Sequence, residues 1–292
     1  MKILVTGASG FTGRHFIELA EHRGHECIAL SSGQNSDVGE LQADVSDKDS
    51  LVTALRGVEI DAVVHLAAIS FVAHGDIAEI YSTNTVGTAN LIDVIQDNAI
   101  KPVHYLVASS GNIYGNANIL PITEDTPFNP ANDYAASKCA MEMALNARSN
   151  DCAITIARPF NYTGKGQAEH FLVPKIVKAF KSKQGEIELG NLDVARDFSD
   201  VRDVVNAYLK LLEAKVTGTF NICSGKAVPL SQVLQFTEAL TGHKLNVRVN
   251  QSLVRSNEVK TLYGSDDKLQ QAIGSYRHHN LENTLAWMLE TK

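Results

Sequence analysis

Up to about residue 160, short apolar runs alternate along the chain with stretches whose apolar positions recur at helical spacing. Lys2–Thr6, Glu26–Leu30, Ala62–Leu66, Val103–Ser109 and Ala153–Ala157 are short, apolar and bounded by turn residues, which is the pattern of buried strands. Between them, Thr12–His22, Ser50–Leu55 and Asp76–Asn98 carry helical periodicity, and Lys138–Ala147 continues a helix starting near Ala131. Strands alternating with helices predict an α/β fold with a doubly wound parallel sheet of Rossmann type. The texture changes after Arg158-Pro159: residues 160–198 are rich in glycine and polar groups. A helix at about Asp200–Ala214 and a strand at Thr219–Cys223 then resume the alternation, and the chain ends on a helix at Leu281–Leu289. The pattern thus predicts a main unit of residues 1–160 plus about 199–223. A smaller mixed α/β lobe is expected from about 161–198 plus 224–292.

Composition narrows the partners. At 292 residues and 44% hydrophobic, the chain has ample material for a core. Its 26 basic and 33 acidic side chains leave a formal charge of -7, which weighs against nucleic acid or an anionic membrane as a partner. The apolar stretch Lys2–Thr6 is too short for a signal peptide, and no run approaches the roughly 20 apolar residues that span a bilayer. Cys27, Cys139, Cys152 and Cys223 are scattered, so reduced thiols in a cytoplasm are expected, without a disulfide frame or a metal site.

The first strand runs into Gly7-Ala8-Ser9-Gly10-Phe11-Thr12-Gly13 and then directly into a helix. Glycines at that junction allow a tight turn and let a dinucleotide pyrophosphate approach the backbone at the positive end of the helix. The spacing is GxxGxxG rather than GxGxxG. At the end of the second strand, Leu30-Ser31-Ser32-Gly33 offers no acid for a ribose 2′-hydroxyl. Ser31 and Ser32, with Arg14 in reach, suit a 2′-phosphate, so NADP(H) is favoured and NAD(H) is the alternative. Asp44, followed by Val45, is placed to meet the adenine or, as a local role, to cap a turn.

Tyr134 and Lys138 stand at i and i+4 on one helix face, and no other of the eight tyrosines has a lysine four residues on. A free phenol titrates near about 10, and a neighbouring ammonium favours its ionised form. Ser110, at the end of the fourth strand and 24 residues before Tyr134, falls at the ligand edge of a parallel sheet. There it can bond the same substrate oxygen as Tyr134, or simply shape the turn.

TGASGFTG (6–13), HLAA (65–68), Asn84, SSGNIYG (109–115), YAASK (134–138) and RPFN (158–161) together resemble the extended short-chain dehydrogenase/reductases over nearly the whole chain. The resemblance implies that Ser110, Tyr134 and Lys138 are catalytic and that Lys138 also holds the nicotinamide ribose. Cofactor contacts are then expected from Gly7, Gly10, Phe11, Thr12, Gly13, Ser31, Ser32, Asp44, Val45, Leu66, Ala67 and Ala68, with Tyr134 and Lys138. Asn84 becomes a helix-associated structural residue, where on its own it reads as a cap. The segments RPFNYTG (158–164), RDFSDVRDV (196–204) and RSNEV (255–259) resemble the GDP-mannose branch of that family. Arg196 and Arg255 are thereby expected on the nucleotide and Glu258 on its ribose, with Ser110 and Asn161 at the sugar.

A 4,6-dehydratase of that branch carries acids directly after the catalytic hydroxyl, where this chain has Gly111 and Asn112. The expectation is therefore an NAD(P)H-dependent 4-ketoreductase of GDP-4-keto-6-deoxy-D-mannose, yielding GDP-D-rhamnose or its 4-epimer. The alternatives are a nucleotide-sugar 4-epimerase with tightly held NAD and a non-catalytic dinucleotide-sensing module. By the same likeness a homodimer is expected, with helices 77–98 and 131–149 pairing across the interface.

Overall fold

The computed structural model describes residues 1–33, 40–70, 75–98, 103–148, 152–254 and 258–290. In chain order the first half gives β1 (Lys2–Thr6), α1 (Phe11–His22), β2 (Glu26–Ser31), β3 (Leu41–Gln42), α2 (Lys48–Ala54) and β4 (Ala62–His65). Next come α3 (Ile77–Tyr81), α4 (Gly87–Asn98), β5 (His104–Ala108), α5 (Asp133–Asn146) and β6 (Ala153–Pro159). The second half adds β7 (Asn161–Thr163), α6 (Leu172–Lys181), β8 (Glu186–Leu189), β9 (Ala195–Arg196), β10 (Phe198–Asp200) and α7 (Val201–Glu213). It closes with β11 (Gly218–Ile222), β12 (Val228–Pro229), α8 (Leu230–Thr241), β13 (Asn246–Val249), β14 (Thr261–Leu262), α9 (Asp267–Ile273) and α10 (Leu281–Leu289).

Seven strands make one sheet in the order β11-β6-β5-β4-β1-β2-β3, every pair parallel. Such a sheet is buried on both faces, which is why its strands read as short apolar runs. Alternation decides which side chain goes where. Ile3 and Val5 join Phe16 and Ala20 of α1 and Val204, Tyr208 and Leu211 of α7 on one face. Leu4 points the other way, into Leu51, Leu91, Ile95, Met141 and Leu145 from α2, α4 and α5. A separate cluster joins α6, α8 and α10 through Ile176, Phe180, Val233 and Leu285 over β8. Strand order reverses between β1 and β4, and in open parallel sheets that switch point opens a ligand crevice at the carboxyl ends of the strands.

Two readings of the pattern are corrected. The single helix expected over Asp76–Asn98 is split by a π-helical turn at Ser82–Val86. The wider turn carries Asn84 inward, fully buried, and it caps nothing. Its amide accepts from Ile69 N at 2.8 Å and donates to Ile69 O at 3.1 Å and to Ser137 Oγ at 3.0 Å. Residues 160–198, rich in glycine and polar groups, contain α6. Its Pro174 lies in the first turn, where a missing N–H costs nothing.

A buried ion pair ties α5 to β6. Arg158 donates from Nε to Glu142 Oε1 at 3.0 Å and from NH2 to Oε2 at 2.6 Å. Its NH1 reaches Tyr114 Oη at 2.7 Å and the Glu124 carbonyl at 3.0 Å. Tyr114 passes its own proton to Asn221 Oδ1 at 2.7 Å, which carries the network to β11. Removing one member strands a charge in the interior. Glu142→Ala is expected to destabilise the fold by roughly 3–5 kcal/mol in denaturant unfolding. A loss below about 1 kcal/mol would mean that the pair is solvated in solution.

Candidate active site

The phosphate-binding turn is built by contacts that exclude side chains. Gly7 has φ of +66°, and a Cβ there would lie 2.8 Å from Ala67 N. At Gly13 a Cβ would fall 2.3 Å from the Gly7 carbonyl. Gly10 caps α1 and supplies no side chain, so the leading amides of this 12-residue helix point outward without a side-chain acceptor. Backbone exposed in this way fits a dinucleotide pyrophosphate. The turn is also braced from the second half of the chain: Thr12 Oγ1 lies 2.8 Å from Tyr162 Oη, and the Phe11 ring stacks on Tyr162 at 6.0 Å and 14°.

Beside the turn, Leu66, Ala67 and Ala68 leave the end of β4. Thr6 Oγ1 accepts from both Leu66 N and Ala67 N at 3.2 Å. The same hydroxyl lies 2.7 Å from His65 Nδ1, and His65 Nε2 lies 2.8 Å from Thr88 Oγ1. Thr88 donates its own proton to the Asn84 carbonyl at 2.8 Å. Thr88 must then accept from His65 Nε2–H, which leaves Nδ1 to accept from Thr6. One neutral tautomer satisfies every member. Burial, with the Lys138 charge adding to it, pushes the imidazole down to about 3.

The serine, tyrosine and lysine expected to transfer the proton sit at the edge of β5. Asn132 caps α5 by accepting from Ala135 N at 2.9 Å, which sets the first turn holding Tyr134 and puts Lys138 one turn on. Lys138 Nζ donates to the Ala108 carbonyl at 2.9 Å and is 3% exposed. Burial drives its pKa down to about 8, opposed by the Glu142 carboxylate. Tyr134 is 8% exposed, and burial lifts its phenol to about 12 while a hydrogen bond with Ser110 pulls it down. Ser110 Oγ also accepts from Asn112 N at 3.2 Å, so the hydroxyl is fixed at the strand end. The structure brings Ser110, Tyr134 and Lys138 together.

Other expected contacts fare differently. Ser31 donates to Glu40 Oε2 at 3.1 Å, and Ser32 is exposed. Asp44 Oδ1 accepts from Ser46 N at 2.8 Å and from Ser46 Oγ at 2.7 Å, the turn role foreseen as its local alternative. The Val45 side chain is buried against Gly87, so any cofactor contact there belongs to its backbone. Asn161 keeps a buried Oδ1 without a partner among the described residues, as a substrate contact would. Arg196 and Glu258 form an ion pair with each other, and Arg196 also donates to the Ala195 and Lys260 carbonyls at 3.0 and 3.1 Å. Arg255 lies outside the described residues. Among the described residues no cluster of His, Cys, Asp or Glu could hold a metal ion, and no helix is long and apolar enough to cross a membrane.

Three residues of the site escaped the sequence reading. Tyr162 follows Asn161 directly but had no visible partner, since Thr12 is 150 positions away. His65 was visible only as the first letter of HLAA, although a histidine closing an apolar strand must be satisfied internally. Glu40 lies directly before β3, after the segment in which an acid was sought.

The depressed His65 gives a pH signature. Unfolding releases an imidazole that binds a proton below about 6.5, while the folded ring refuses one until about 3. This group's contribution is fully present above about 6.5 and is lost as pH falls through that window, at up to ~1.4 kcal/mol per pH unit. Chemical unfolding across this range should show that slope in the native protein and a shallower one in His65→Gln. Equal slopes would contradict the buried neutral tautomer.

Comparison with known proteins agrees with this geometry. The chain is 34% identical over 295 residues to GDP-6-deoxy-D-talose 4-dehydrogenase of Aggregatibacter actinomycetemcomitans, covering 100% of this chain and 98% of that one. It is 31% identical over 285 residues to GDP-6-deoxy-D-mannose reductase of Pseudomonas aeruginosa, covering 94% and 91% of the two chains. The solved structure of RMD from Pseudomonas aeruginosa complexed with NADPH superposes with a TM-score of 0.87 at 29% identity, over 99% of this chain and 97% of that one. Residues 3–223 match the NAD dependent epimerase/dehydratase family, and with the glycine turn and the Ser110–Tyr134–Lys138 group in place, the chain belongs to it.

Proposed function

We propose that this enzyme reduces the C4 ketone of GDP-4-keto-6-deoxy-D-mannose to a GDP-6-deoxyhexose, GDP-D-rhamnose or its 4-epimer. The observation that carries the reading is Tyr134 hydrogen-bonded to Ser110 beside Lys138, with Gly111 and Asn112 where a dehydratase needs acids. Relatives named for oxidation or reduction of GDP-6-deoxy sugars support it.

Bound at the glycine turn, a reduced nicotinamide dinucleotide supplies the hydride that C4 receives. Ser110 and Tyr134 bond the ketone oxygen and orient it. Tyr134, protonated at neutral pH because its pKa lies near 12, delivers its proton to the alkoxide oxygen as charge develops there. Lys138 stabilises the phenolate left behind and retains donors for the nicotinamide ribose, since Ala108 uses one of its three protons. Asn84 fixes Ser137, the residue next to Lys138, through its Oγ. Asn161 offers its unpartnered Oδ1 to a sugar hydroxyl, and Arg196 and Glu258 take the nucleotide once their mutual pair opens. The protein works in the cytoplasm as a homodimer. Ile77, Val86 and Met143, exposed on α3, the π-helical turn and α5, supply apolar surface for the helix pairing.

Turnover of the 4-keto sugar should consume reduced cofactor, and Tyr134→Phe should lower kcat/KM by roughly a hundredfold to ten-thousandfold. A native enzyme that leaves this sugar untouched while interconverting an unmodified GDP- or UDP-hexose would be an epimerase instead. The pH profile is a second check. Reductive kcat/KM should be level below about 8 and fall above it, as Lys138 gives up its proton while Tyr134 keeps its own. A profile rising through that value would contradict the assigned roles.

A further inference from the structure

The end of β2 holds an acid that does not come from β2. Strands β2 and β3 pair in parallel, with Leu30 opposite Leu41 and Ser31 opposite Gln42, and Ala43 N donates to the Ser31 carbonyl at 3.1 Å. This short ladder places Glu40 beside the tip of β2, where its carboxylate accepts the Ser31 hydroxyl proton at 3.1 Å. Ser31 is 5% exposed and Glu40 is half-buried. In a sheet of this topology the tip of the second strand faces the adenosine ribose of a dinucleotide bound at the first glycine turn.

We propose that Glu40, held by Ser31, selects NAD(H) over NADP(H) by occupying the place a 2′-phosphate would need. A serine hydroxyl has one proton to give, and Ser31 gives it to Glu40, so it has none for a phosphate oxygen. A ribose 2′-hydroxyl is a donor and can bond the carboxylate. A 2′-phosphate, with a charge of about −2 at neutral pH, has only acceptors and negative charge to set against it. Asp44, a few residues on beside Ser46, adds a second carboxylate to the same sheet edge. Arg14, exposed on the first turn of α1, is the cation that the sequence reading paired with the serines. A single exposed arginine facing solvent offsets less than a carboxylate fixed in contact. The inference rests on the glycine turn binding a nicotinamide dinucleotide and is independent of the sugar substrate.

Direct titration of the sugar-free protein with NADH and with NADPH tests it. The native protein should bind NADH tighter by roughly 10-fold to 100-fold. Glu40→Gln, which keeps the shape and removes the charge, should bring the two affinities within about 3-fold, mainly by strengthening NADPH. Retained NADH binding in that variant reports an intact fold. Native protein preferring NADPH, with the preference lost in Arg14→Ala, would overturn the proposal, as would an unchanged ratio in Glu40→Gln. Binding of neither cofactor would overturn it together with the cofactor reading. Selective NADH binding without turnover of the 4-keto sugar would sustain Glu40's role and remove only the proposed substrate.

Discussion

A buried ammonium governs the arrangement of the site. Lys138 is taken out of water at the edge of the sheet, and among the described residues no carboxylate forms an ion pair with it. Its held contacts are the Ala108 carbonyl and the Met141 sulfur at 3.7 Å. An uncompensated interior charge is costly, and here the cost appears as a pKa depressed to about 8. In the proposed mechanism the compensation comes during the reaction, from the phenolate formed on Tyr134 and from the hydroxyls of a bound ribose. Glu142, one turn along α5, tempers the field without touching the lysine because Arg158 holds its carboxylate.

Around that charge the supports are geometrically over-determined. Asn84 reaches both the chain at Ile69 and the α5 residue next to Lys138, and it needs the π-helical turn to do so. His65 locks the end of β4 to β1 and α4 in one hydrogen-bond polarity. Tyr162 joins the phosphate turn to the strand that follows β6. Each tie links segments far apart in sequence, so the site's shape is a property of the completed fold. Rigid placement of this sort is what the proposed reaction requires, with Ser110 and Tyr134 aimed at one oxygen and Lys138 held beside the phenol.

The parts of this structure legible in the sequence are those set by local rules. Buried parallel strands are short apolar runs, so β1, β2, β4, β5 and β6 were visible within a residue or two. The glycine turn and the Tyr134/Lys138 pair were visible because a turn and a helical i, i+4 spacing are local. The π-helical turn was not, since what drives it is Asn84 meeting partners 15 and 53 residues away. The missing acid at β2 is the sharpest case. Reading along the strand finds only serines, whereas pairing with β3 brings Glu40 back to Ser31 across nine positions.

Family membership is settled by match and geometry together, while the proposed reaction turns on the residues that follow Ser110. In the proposed function, Gly111 and Asn112 supply no acid or base for abstraction at C5, so the reaction expected is hydride delivery to C4 with one proton to its oxygen. Turnover of GDP-4-keto-6-deoxy-D-mannose with cofactor carrying deuterium in its transferable position tests this most directly. The account predicts one deuterium at C4 of the product for each cofactor oxidised, with C5 and C6 unlabelled. Unlabelled product formed with no net cofactor oxidation, or exchange of solvent hydrogen at C5, would contradict it.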